Sequence, residues 1–258
     1  MLYDDIIKQI KKAGDMLRGV SAGEADIYNK EGISNFVTEY DKKVQRLLVQ
    51  EMKELIPDAA FLAEEDDMQQ QMGDGYCFII DPIDGTTNFI FNYKNSCISV
   101  GLAQHGEMIF GAVYNPYTEE MYTAVKGEGA RLNGRNIKCT EKGLEDSVAA
   151  FGCARYNSDD TDRIFAFAKC LYLHSLGIRN CGSAAIDLCR VASGSNGVYA
   201  ELLLQPWDFA AASLIIREAG GSITQIDGTE ITLDSACSVL AGGQSCWEES
   251  IHLWKTLI

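Results

Sequence analysis

The chain has 258 residues, 47% of them apolar and 23% charged, with only four prolines; this is enough for a large core, as one domain or two closely fused lobes, and it excludes long disordered linkers. A formal net charge of −15 would repel nucleic-acid phosphates and anionic lipid, so neither nucleic acid nor a membrane is expected as a partner. Nine cysteines fall singly with no C-x-x-C pair, residues 1–5 carry no basic-then-apolar leader, and no apolar run nears the ~20 residues that span a bilayer, which points to reduced thiols and a cytoplasmic location.

In chain order, Ile6, Ile7, Ile10, Ala13, Leu17 and Val20 recur at helical spacing, and Val44, Leu47, Leu48, Met52 and Leu55 do so again before Pro57. Two amphipathic helices are predicted there. Residues 21–35 between them are polar, contain glycine and lack periodicity, which predicts a long loop. Short β-like runs follow at 59–63, 77–80, 97–103, 108–114 and 121–125. Turn dipeptides at His105-Gly106, Asn115-Pro116 and Asn133-Gly134 make them a mostly antiparallel meander. Past Ser147 the pattern alternates: strand at 148–151, helix at 163–173, helix after Gly182, strand at 198–204, helix at 207–219, strand near 239–241 and helix from Glu248. The expected class is α/β (α+β), with helices covering two sheets and two lobes, 1–146 and 147–258, fused as one compact unit. His105, His174 and His252 stand at no metal-ligand spacing, so zinc and histidine catalysis are not expected.

The octet Asp81-Pro82-Ile83-Asp84-Gly85-Thr86-Thr87-Asn88 directly follows the run 77–80, so two carboxylates and a turn meet at the end of a buried strand. The fixed φ of Pro82 and the freedom of Gly85 bend the backbone there and present N–H groups to an anion. Carboxylates can hold a divalent cation, and the amides can hold the phosphate that it polarises. The acidic run Glu64-Glu65-Asp66-Asp67 follows another strand, and a carboxylate there could join Asp81, although such a run also makes a solvated loop. Asp208 opens a helix, where it could act as an N-cap or as a ligand. Gly182-Ser183-Ala184-Ala185 precedes a helix and would allow close approach of a ligand or of a packed neighbour. Glu201 follows the apolar residues 197–200, at a site or at an exposed edge. Gly127-Glu128-Gly129 is too short for a dinucleotide fingerprint.

Taken together, these segments resemble the inositol monophosphatase family of metal-dependent phosphatases. The octet at 81–88 is similar throughout to that family's D-P-I-D-G-T-x-N segment. The second family pattern, W-D-x-A-A and a helix ending in Glu-Ala-Gly-Gly, is matched by Trp207-Asp208-Phe209-Ala210-Ala211 and Glu218-Ala219-Gly220-Gly221. The resemblance implies an α-β-α-β-α layered sandwich, a homodimer, and magnesium-dependent, lithium-sensitive hydrolysis of a phosphate monoester.

Carried over by position, the resemblance implies that Glu64, Asp81 and the carbonyl of Ile83 hold one magnesium and that Asp81, Asp84 and Asp208 hold a second. Glu64 would also reach a third ion in members that use three. Oxygen-only ligands suit magnesium. Thr86 oriented by Asp41 would position and deprotonate the attacking water, and with Glu64 they form the implied catalytic group. The amides of Gly85 and Thr86 would hold phosphate oxygens, and Lys30 would approach the same region. Asp84, Gly182, Ser183, Ala184, Glu201 and Asp208 would face the hydroxyls of the substrate, which argues for a polyol phosphate; Thr87-Asn88-Phe89 favours the inositol or sugar-phosphate branch without deciding within it, and the resemblance makes inositol monophosphate the expected substrate. Ala63 for the usual glycine, and Gln205-Pro206 before Trp207, depart from the pattern without touching these ligands. Relatives with the same metal core act on fructose 1,6-bisphosphate, histidinol phosphate or nucleotide 3′-phosphates. A catalytically silent binding or regulatory protein is the alternative of another class. A two-metal nuclease is disfavoured by the absence of a basic stripe.

Overall fold

The computed structural model describes residues 2–20, 27–29, 36–65, 72–153 and 160–257. Helix α1 (Leu2–Arg18) buries Ile6, Ile10, Ala13 and Leu17 as their spacing demands, while Ile7 and Val20 stay half-buried at the rim. Strands β1 (Ile27–Asn29) and β2 (Phe36–Thr38) pair antiparallel, so part of the expected loop is extended. Lys30, Asp66 and Asp67 lie outside the described residues. Helix α2 (Glu39–Leu55) buries Val44, Leu48, Val49 and Met52. Thr38 and Asp41 fix its start by a reciprocal cap.

The first sheet runs β3 (Ala60–Ala63), β4 (Tyr76–Asp84), β5 (Cys97–Gln104), β6 (Glu107–Asn115), β7 (Glu120–Val125), β8 (Ala130–Leu132) and β9 (Arg135–Asn136), neighbours in space in chain order. Only β3 and β4 pair parallel. His105-Gly106 and Asn133-Gly134 both take positive φ, the conformation that two-residue hairpins favour. The expected strand at 77–80 is too short, because β4 continues through Asp84. Asp81 pairs with Ser99 but Asp84 with Cys97, so β4 carries one extra residue across Pro82 and Ile83. Proline lacks the ladder donor and is tolerated at such a bulge. A short helix, α3 (Thr86–Ile90), follows at once.

The second sheet has the order β11 (Gly177–Arg179), β10 (Val148–Phe151), β12 (Val198–Leu204), β14 (Cys237–Gly242) and β13 (Ser222–Thr224). β10 is parallel to both its neighbours, and β14 is antiparallel to both of its own. Among these strands run α4 (Thr161–Leu173), α5 (Ala184–Ala192), α6 (Pro206–Glu218) and α7 (Gln244–Leu257), the last beginning one turn before the expected Glu248.

Alternation of side chains along the strands sorts the core into layers. Phe78, Ile80 and Phe110 face α1 and α2, with Tyr3 stacked 4.8 Å from Phe110. Ile79 and Val113 on the other face share a cluster with α5, α6 and Tyr199, Val239 and Ala241 of the second sheet. Ala149, Val198 and Leu240 turn outward to Phe167 of α4 and Trp254 of α7. The five layers are therefore α-β-α-β-α. Helix α6, enclosed by sheets on both sides, is apolar around its circumference.

Close approach of α6 has a visible cause. Gly101 on β5 and Gly111 on β6 are cross-strand partners. A Cβ on Gly111 would stand 2.4 Å from the Ala211 carbonyl oxygen, and one on Gly101 would stand 3.7 Å from Ala210 Cβ. The small residues after Asp208 are thus the surface on which α6 rests against the bare sheet. At its other end, the Glu218 carboxylate accepts the amides of Gly127 and Gly129 at 2.8 Å each, which assigns that glycine turn a structural partner.

Candidate active site

The bulged end of β4 carries Asp81 and Asp84. Parallel pairing of Ala63 with Ile80 places Glu64 beside Asp81, and the Glu64 amide donates to the Ile80 carbonyl at 3.3 Å. Helix α6 brings Asp208 from the second half of the chain. Carboxylate oxygens of Asp81, Asp84 and Asp208 all lie within 4.8 Å of one another. Glu64 lies outside that tight group but lines the same cavity of about 370 Å3. Asp208 is not the N-cap of α6. Gln205 takes that position, and Asp208, three residues on, accepts its amide at 2.7 Å. One interaction thus aims the carboxylate and starts the helix.

Electrostatics set the demand of this cluster. Burial, followed by the charges of Glu64, Asp84 and Asp208, pushes the Asp81 carboxyl well above its ordinary range. Asp208 is raised in the same way, by burial first and then by Asp84 and Glu64. Asp84 rises to about 6 through burial, opposed by hydrogen bonds from Ser183 Oγ at 2.5 Å and the Ala185 amide at 2.8 Å. Among the described residues no Lys or Arg lines the cavity. Like charges this close, two buried and one half-buried, call for a bound cation where no cationic side chain is at hand, and all-oxygen donors fit a hard divalent one.

The pair expected to handle water is assembled as well. Thr86 Oγ1 stands 3.2 Å from Asp41 Oδ1 and 3.1 Å from the Ile83 carbonyl, two acceptors for one proton. Asp41 is 1% exposed, and burial, partly offset by Thr38, raises its carboxyl to about 7. Ile83 is buried at the bulge, with its amide on Asp81 Oδ1 at 2.9 Å.

The opposite wall holds Gly182, Ser183, Ala184 and Glu201. Gly85 and Gly182 take φ of 84° and 73°, and a Cβ on Gly85 would stand 2.9 Å from the Gly182 carbonyl oxygen, so glycine is required where the two turns meet. Asn88, the last residue of the octet, clamps that junction: its amide donates to the carbonyls of Asn95 at 2.8 Å and Cys181 at 2.7 Å. Glu201 is buried rather than at an exposed edge, and it accepts the Tyr199 hydroxyl at 2.5 Å. Every site residue expected from the sequence lines or adjoins this one cavity, apart from Lys30, which lies outside the described residues.

Gly152, Tyr199, Cys153, Asn180 and Asp187 also line the cavity, unforeseen from the sequence. For Tyr199 a signal existed, since residues i and i+2 of a strand share a face and Glu201 was already marked. For Gly152 it was weaker, a glycine just past a predicted strand.

Comparison with known proteins agrees with this geometry. A model of the inositol monophosphatase family matches residues 2–254. Inositol-1-monophosphatase of a Synechocystis species is 37% identical over 233 residues, covering 89% of this chain and 80% of its own. Among solved structures, extragenic suppressor protein suhB from Bartonella henselae superposes with a TM-score of 0.90 at 30% identity, covering 99% of each chain. An IMPase of Thermotoga maritima does so with 0.89 at 32% identity, covering 99% of this chain and 97% of its own.

Proposed function

From membership of the inositol monophosphatase family, to which this chain belongs, we propose that it hydrolyses inositol monophosphate with the help of magnesium. It is a phosphatase of a metal-dependent family, acting on a phosphate monoester. The observation that carries the finer reading is the set of three carboxylates within 4.8 Å, Asp81 and Asp84 buried and Asp208 half-buried, with no cationic side chain among the described residues of the cavity.

Glu64, Asp81, Asp84, Asp208 and the Ile83 carbonyl would hold two or three ions. When bound there, magnesium neutralises phosphate charge, lowers the pKa of a bound water and stabilises the departing alkoxide. Thr86 accepts a proton from the attacking water as it passes its own to Asp41, whose carboxyl at about 7 is matched to proton transfer near neutral pH. Gly85 and Thr86 present backbone N–H groups to the phosphate oxygens. Glu201 and the turn at Gly182, Ser183 and Ala184 accept and donate hydrogen bonds to ring hydroxyls, which supports a polyol substrate over an apolar one. The same reading includes a homodimer and a cytoplasmic setting, supported by the family resemblance. No helix among the described residues is long and apolar enough to cross a membrane.

The test is phosphate release from a panel of monoesters, inositol 1-phosphate, fructose 1,6-bisphosphate, histidinol phosphate and a nucleoside 3′-phosphate, with and without magnesium. Inositol 1-phosphate is expected to give the highest kcat/KM, and Asp81→Asn to abolish release while the protein stays folded. An Asp81→Asn variant that retains near wild-type turnover refutes the ligand assignment.

A further inference from the structure

Two strands of the second sheet build a device around Glu201 that neither family motif contains. Tyr199 and Glu201 are two residues apart on β12 and share its inward face. Tyr199 is 1% exposed and Glu201 7% exposed, and the phenol donates to Glu201 Oε2 at 2.5 Å. Burial, followed by the charge on Glu201, holds the Tyr199 hydroxyl well above its ordinary pKa, in keeping with its place as the donor of this bond. Gly152 completes the arrangement from just past the end of β10, its amide on the Ala200 carbonyl at 2.9 Å. A Cβ on Gly152 would stand 2.0 Å from Glu201 Oε2 and 2.4 Å from the Tyr199 hydroxyl. The space for that contact exists only because residue 152 has no side chain. Between Glu201 and Leu204, which also lines the cavity, the pairing of β12 with β14 shifts register.

We propose that Tyr199, with the gap left by Gly152, is a positioning residue for substrate selection: it fixes the orientation of the Glu201 carboxylate so that a ring hydroxyl of a polyol phosphate meets an acceptor already aimed at it. An ionised carboxylate has about four lone-pair sites, and a charge-assisted bond to one oxygen removes rotation about its terminal torsion while leaving acceptor capacity for a substrate hydroxyl. Without the bond from Tyr199 the carboxylate would meet the substrate less ordered, at a cost to affinity. A phosphate ester without a hydroxyl at that place gains nothing from the device. The inference rests on the reading of Glu201 as a hydroxyl acceptor.

The experiment compares kcat/KM for inositol 1-phosphate with that for 4-nitrophenyl phosphate, and reads the ratio of the two in Tyr199→Phe, Gly152→Ala, Glu201→Gln and the double variant Tyr199→Phe/Glu201→Gln. Tyr199→Phe, which deletes one oxygen, is expected to lower the ratio by about 10-fold, chiefly through KM for inositol 1-phosphate. Gly152→Ala is expected to lower it as well, by displacing Oε2. In the Glu201→Gln background the Tyr199→Phe effect on the ratio is expected to vanish, since the two act as one unit. A merely structural role for Tyr199 would reduce both substrates alike and leave the ratio unchanged, which overturns the inference. An unchanged ratio in Gly152→Ala, or an undiminished Tyr199 effect in the double variant, overturns it too. If Glu201→Gln itself leaves the ratio unaltered, the hydroxyl-acceptor reading falls and this inference falls with it. A selective loss in Glu201→Gln without one in Tyr199→Phe defeats the inference alone.

Discussion

Thr86 and Asp41, 45 residues apart in sequence, meet through a 3.2 Å contact from Thr86 Oγ1 to Asp41 Oδ1, while the other oxygen of Asp41 accepts both the amide and the hydroxyl of Thr38 at 2.7 and 2.6 Å. Capping α2 and holding Thr86 are thus not competing roles for Asp41. A single carboxylate does both, one with each oxygen, and the start of a helix serves as the mount for a site residue.

Asp41→Asn is therefore expected to lower stability and turnover together. Loss of the reciprocal cap costs about 1 kcal/mol, or about 2–4 °C in Tm for a chain of this size. Loss of the proton acceptor behind Thr86 lowers kcat by about 10²–10⁴-fold with KM nearly unchanged. Thr38→Ala provides the comparison, since it removes the hydroxyl half of the cap and leaves the acid. Turnover and melting temperature of the two variants decide the matter, and an unaltered kcat in Asp41→Asn would return that residue to the cap alone.

The carboxyls of the site reverse the usual effect of pH on a folded protein. Asp41 at about 7, Asp84 at about 6 and the raised Asp81 and Asp208 all bind their protons more tightly folded than unfolded, where the ordinary value is 3.8. The stability linked to those protons is fully present below the unfolded value and is lost as pH rises through the folded ones. With metal removed by EDTA, Tm is expected to fall from pH 5 to pH 8, and magnesium is expected to flatten that slope by occupying the folded site. Asp81→Asn, which deletes one buried charge, should raise the metal-free Tm at pH 8 while abolishing activity. Calorimetry across that range checks this, and a Tm that rises with pH in EDTA would contradict it.

Packing of α6 on the glycine pair of the first sheet yields a prediction remote from the chemistry. Gly111→Ala drives a methyl group into the Ala211 backbone at 2.4 Å and is expected to cost about 1–3 kcal/mol, as overpacking does. Because Asp208 rides on α6, magnesium affinity measured by titration should weaken in the same variant. Gly101→Ala meets the end of the flexible Met108 side chain, Cε at 2.5 Å, and should cost less. A larger loss in Gly101→Ala would show that α6 is not held by this contact.

Short-range features of the sequence carried the local elements and the site chemistry. Apolar spacing located α1 and α2, turn dipeptides marked the hairpins, and the octet at 81–88 with Trp207-Asp208 named the metal-ligand candidates, because each signal is complete within about ten residues. What lies between distant residues was illegible. The extension of β4 across its bulge depends on pairing with β5, and the short strands β11 and β13 exist only through their neighbours. Ser183 reaches Asp84 across 99 residues of sequence. Gly152 and Asn88 acquire their tasks only where two strands or two turns converge. Periodicity along a chain reports which face of an element is buried. Packing alone determines which other element buries it.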